Sequence, residues 1–103
     1  MSSHRKPRFQ NHIYSLRRGR RYEQKHLARL LGYRGAPSIS RYETGAALPP
    51  LRTALLLEIV LGARLPEIYV DLYHELERVA LARSAQLPQD LGRHVRRRVL
   101  GKE

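Results

Sequence analysis

A chain of 103 residues with 20 Lys and Arg against 9 Asp and Glu carries a formal net charge of +11, which points to an anionic partner, nucleic acid before any other. Its length allows one small domain with tails and one modest core, and the lack of Cys excludes a disulfide framework or a thiolate metal site. The longest apolar run, residues 54–63, is too short to span a bilayer and is interrupted by Glu58, and the stretch MSSHRKPRFQNHIY has no apolar leader segment, so a soluble, cytoplasmic protein without membrane association is expected.

Residues 1–8, with Arg5, Lys6 and Arg8, read as a basic arm. Residues 1–34 hold ten Lys and Arg against one acid, Glu23, so one end of the chain carries nearly all the charge excess. Phe9, Ile13 and Leu16 recur at helical spacing and predict a first helix from about Phe9 to Arg18, ending near Gly19. EQKHLARLLG predicts a second, with Leu27, Ala28 and Leu31 as its apolar stripe and Gly32 as its stop. After a turn holding Gly35, Pro37 opens a third helix in which Ile39 and Tyr42 face inward, and Gly45 suits the position just past its end. Pro50 starts a fourth helix that Gly62 ends. From Pro66 onward one long helix of about five turns is expected, broken at Leu87-Pro88, followed by a last helix with Leu91, Val95 and Val99 on one side. Without strand-like alternation or internal repeats, the fold class is all-α.

Two short helices joined by a tight Gly-containing turn, with a basic helix before and an apolar one after, describe a helix-turn-helix. The stretch Leu16 to Gly62, LRRGRRYEQKHLARLLGYRGAPSISRYETGAALPPLRTALLLEIVLG, resembles the Cro/phage-repressor (XRE) family. The likeness lies in the Arg seven before a Gln, the Gln-x-x-Leu-Ala, the Leu-Gly, the Ile-Ser-Arg-aromatic-Glu-x-Gly, the Pro-Leu and the closing Leu-Gly. It implies a five-helix lambda-repressor-like domain over residues 9–75 and leaves residues 76–103 as a helical extension. It implies further that Gln24 donates to a phosphate, that Ala28 permits close helix approach, and that Arg17 pairs with Glu43 between the first and third helices. Ten residues separate Gly32 from Glu43, one more than is usual in the family, so Ala36 and Pro37 stand where polar readers are common.

A helix presented to DNA needs side chains that reach base edges and phosphates. Arg is the commonest bidentate reader of guanine, which puts Arg41 first among the base contacts, with Arg34, Ser38 and Ser40 beside it. Arg18, Arg20, Arg21 and Lys25 around the first joint, Arg52 near the start of the fourth helix, and Gln24 are the expected phosphate contacts. Apolar residues on more than one face of the last two helices suggest a homodimer through Tyr73, Leu76, Leu87, Leu91 and Val95, or a last helix folded back over its own core; the family resemblance implies two half-sites about 34 Å apart, which favours the dimer.

No catalytic constellation emerges. HELER (His74 to Arg78) looks like a zinc-binding HExxH, but Arg78 occupies the second ligand position. Neither a cofactor nor a metal is expected. The reading is a sequence-specific regulator of transcription, a repressor on a palindromic operator. Its rivals are an antitoxin-like regulator whose last helices bind a partner protein, and a nonspecific nucleic-acid binder.

Overall fold

The computed structural model describes residues 8–101, so Arg5 and Lys6 of the basic arm lie outside the described residues. The described chain is all helical: α1 (Ile13–Gly19), α2 (Gln24–Leu30), α3 (Pro37–Glu43), α4 (Leu51–Leu61), α5 (Leu65–Ile68), α6 (Val70–Ser84) and α7 (Gln89–Leu100). No strand occurs among the described residues. The chain divides into two compact units, one ending at Val70 and one starting at Asp71.

In the first unit, α1 packs on α3 and α4, α2 on α3, and α4 on α5. Ile13, Leu27, Ile39, Leu57, Leu61 and Ile68 are fully buried at their meeting point, each contributing roughly 1.5–3 kcal/mol of burial. The apolar stripe expected on α2 is buried as Leu27, Ala28 and Leu31. On α4 the inward row is Thr53, Leu57 and Leu61, whereas Leu51, Leu55 and Ile59 stay in solvent.

Two boundaries differ from the apolar spacing, and side chains explain both. The first helix begins at Ile13 rather than at Phe9 because Asn11 intervenes. Its Oδ1 accepts from the Ile13 amide at 2.9 Å, satisfying one of the free donors of the helix start. Its Nδ2 donates to the carbonyls of Phe9 and Tyr42, both at 2.8 Å, which also fastens this end to α3. The long helix expected from Pro66 onward is broken at Tyr69, where φ is −119° and ψ is 64°. The Ile68 carbonyl accepts from the His12 amide at 2.9 Å and so leaves the helical ladder. The Tyr69 ring is buried here, and its hydroxyl finds no partner among the described residues. Burial alone pushes that hydroxyl up from 10.0 to about 12.

The second unit is a helical hairpin of α6 and α7. The Leu87 amide closes the turn on the Ser84 carbonyl at 3.1 Å. At Gly92 an added Cβ would lie 2.8 Å from the Ser84 carbonyl oxygen at the end of α6. Ser84 and Gly92 are the only buried residues among those described in this unit. Its apolar side chains remain partly or largely exposed, Leu91 by 63%.

Candidate nucleic-acid interface

The third helix is short, seven residues, and depends on its neighbours for its position. Pro37 occupies its first turn, where the missing N–H costs nothing, and Gly45 leaves the helix at φ 79°, a conformation L residues rarely adopt. Ile39 and Tyr42 point into the core. Pro37, Ser40, Arg41 and Thr44 form the exposed side. Ser38 is half-buried, so Thr44 rather than Ser38 continues the outward row begun by Ser40 and Arg41; Arg34 is exposed in the turn ahead.

A buried polar cluster fixes the far end of α3. Arg17 donates through Nε and Nη2 to the Glu43 carboxylate, and the two side chains are only 8% and 6% exposed. Arg17 also donates Nη1 to the Tyr22 carbonyl at 2.9 Å and lies over the Tyr14 ring. Gln24 donates Nε2 to Glu43 Oε1 at 2.9 Å. One carboxylate therefore joins the ends of α1, α2 and α3, and its charge is held away from the exposed row of α3. The phosphate role implied for Gln24 is reduced to its second N–H, because the first is used internally.

A chain of hydroxyls fixes the other side. Tyr33, in the turn before α3, bonds Tyr42 Oη at 2.9 Å and Thr53 Oγ1 at 3.0 Å, linking turn, α3 and α4. Burial, then the Tyr33 contact, pushes the Tyr42 hydroxyl up to about 12. The turn is thus held by a ring and hydroxyl that spacing alone does not reveal.

The remaining cations fall into different settings. Arg18 donates to the Tyr14 hydroxyl at 2.8 Å and is exposed. Arg20 donates Nε to the Leu61 carbonyl at 3.1 Å, so it is tied to the end of α4. Arg21 is exposed with a positive φ of 66°. Arg52 is exposed on the first turn of α4. Lys25 lies 3.6 Å from Glu23 in a fully solvated pair, which is worth little. Lys25 and Arg34 also line one open cleft of about 660 Å³ together with His26, Arg29 and Tyr33.

In the hairpin, Tyr73, Leu76 and Val95 meet at a cleft of about 330 Å³ with Ala80 and Val99. Arg98 at its edge donates to the Tyr73 hydroxyl at 2.8 Å. Leu87 and Leu91, grouped with these from the sequence, are exposed but do not line it. Among the described residues no cluster of His, Asp and Glu is arranged to hold a metal ion, and no helix is long and apolar enough to cross a membrane.

No family model, no curated protein and no solved structure matches this chain.

Proposed function

We propose that the chain is a sequence-specific, double-stranded-DNA-binding regulator of transcription, acting as a repressor by occupying an operator without catalysis or cofactor. In this reading the first unit is a lambda-repressor-like helix-turn-helix domain of five helices, with α3 as the helix that enters the major groove. The observation that carries it is the division of α3: Ile39 and Tyr42 are buried, Ser40, Arg41 and Thr44 are exposed, and Glu43 is neutralised inside by Arg17 and accepts a hydrogen bond from Gln24. A helix that hides its only acid and leaves Arg and hydroxyls outward is suited to donate to base edges. Arg41 and Ser40, flanked by Arg34 and Ser38, are the base-contact candidates. Arg18, Arg21, Lys25 and Arg52 would take phosphates, and Arg20 would brace the joint they stand on.

The hairpin supplies the second copy. A two-helix unit whose described apolar side chains all stay at least partly exposed gains too little burial to stand uncovered, and a two-fold partner would cover the Tyr73, Leu76 and Val95 cleft, with Leu87 and Leu91 at its margin. The same observation supports a second reading, in which these helices bind a different protein, as an antitoxin does. Sedimentation of the purified chain separates the two: a concentration-dependent dimer lost on Leu76→Glu supports self-pairing, and a monomer at all concentrations favours the other. Footprinting on a selected duplex tests the main reading. Protection of two half-sites one helical turn apart is expected; uniform protection along any duplex would leave only charge-driven binding.

A further inference from the structure

The cleft beside α2 has no role in the core or in the exposed row of α3. Lys25 and Arg29 are four residues apart on α2 and therefore neighbours on one face. The Tyr33 amide donates back to the Ala28 carbonyl at 2.8 Å, which folds the turn against α2 and brings Arg34 to the same cleft. The Glu23 amide donates to His26 Nδ1 at 2.9 Å, so a neutral His26 carries its proton on Nε2 and keeps a free donor there.

Of these cations, Arg29 and Arg34 are in no ion pair among the described residues, and Glu23 touches Lys25 only at 3.6 Å in solvent. Lys25 stands in the first turn of α2, beside the N-cap Glu23. Lys25 and Arg29 also repel one another at that spacing. Like charges gathered around a concave surface, with one solvated ion pair among them, are stabilised by an anion from outside.

We infer that this cleft is a phosphate-binding trough, with Arg29 and Arg34 as its principal cations and His26 Nε2 and Lys25 as further donors. A sugar-phosphate backbone presents a row of phosphates that such a trough can follow. Arg34 therefore contacts phosphate instead of reading a base, and Arg29 and His26 join the interface. The backbone as source of the phosphate rests on the DNA-binding reading; the phosphate chemistry does not.

The test uses the full chain with Arg29→Ala, Arg34→Ala and the double variant, folding being checked by circular dichroism. Affinity for a wild-type-selected duplex and for a scrambled one is measured across a salt series. Each variant should weaken both duplexes by the same several-fold factor and make the log–log salt slope shallower by about 0.9 per cation removed. An unchanged slope overturns the inference, as does a loss confined to the selected duplex, which would make Arg34 a base reader. If the wild-type chain binds no duplex, the DNA reading fails, and inorganic tripolyphosphate followed by amide chemical shifts decides the cleft. Shifts at residues 25–34 that vanish in the double variant would keep the trough with a free polyphosphate as ligand. No shifts there would end it.

Discussion

Glu43→Ala is the most informative single change in the first unit. It removes the acceptor for three N–H donors, two from Arg17 and one from Gln24, at a site where the Arg17 side chain is 8% exposed. The Arg17 guanidinium would keep the Tyr22 carbonyl and the Tyr14 ring but would carry a buried, unneutralised charge. Breaking one side of such a pair costs about 3–5 kcal/mol. In a domain of this size that lowers the melting temperature by about 12–40 °C. The paired change Arg17→Met with Glu43→Leu removes both charges, and should return to within about 2 kcal/mol of the wild type because no ion remains to be desolvated. Thermal and denaturant unfolding of the three proteins, followed by circular dichroism, measures both differences. A loss below about 1 kcal/mol for Glu43→Ala would refute the reasoning, since that is the value of a solvated surface pair.

Other changes probe the remaining supports. Tyr33→Phe removes the hydroxyl between Tyr42 and Thr53 and should cost about 1–2 kcal/mol in denaturant unfolding; no loss would mean that the hydroxyl chain does not hold the turn. Tyr69→Phe removes a buried hydroxyl without a partner and should leave stability equal or higher by up to about 1 kcal/mol, and a clear loss would contradict its isolation. Both Tyr42 and Tyr69 have hydroxyl pKa values raised from 10.0 to about 12 in the folded unit. Their contribution is therefore fully present below pH about 10 and is lost as pH rises toward 12, a decline on the order of 2–3 kcal/mol for each; a melting temperature constant from pH 9 to 11.5 would contradict this. Gly92→Ala places a methyl 2.8 Å from the Ser84 carbonyl oxygen and should cost about 1–3 kcal/mol, read as lost hydrogen-exchange protection in α7.

The sequence exposes what depends on local spacing. Leu27, Ala28 and Leu31, or Ile39 and Tyr42, announce their buried faces because helical periodicity and core burial coincide. Prolines and glycines mark α3 and α4 because they act on their own backbone. What escapes is whatever depends on a distant partner. Phe9 fits the helical period, but Asn11 starts α1 later by bonding Ile13 and reaching Tyr42, 31 residues away. Tyr69 sits in an unbroken apolar pattern, yet the Ile68 carbonyl is taken by His12. At the candidate interface, Arg41 and Ser40 stand out by residue type, whereas Ser38 is half-buried and Thr44 takes its place on the outward side. Arg29 and His26 carry no motif and gain a role only through the cleft they share with Arg34.

The central claim, that α3 reads duplex DNA, is tested most directly by selection from randomised duplexes with the wild-type chain and with Arg41→Ala in parallel. The wild type should enrich a two-fold symmetric sequence, and Arg41→Ala should relax preference at one symmetric pair of positions, losing about 1–3 kcal/mol of discrimination there. Equal recovery of all sequences by the wild type would contradict the claim, and so would an Arg41→Ala profile identical to its own.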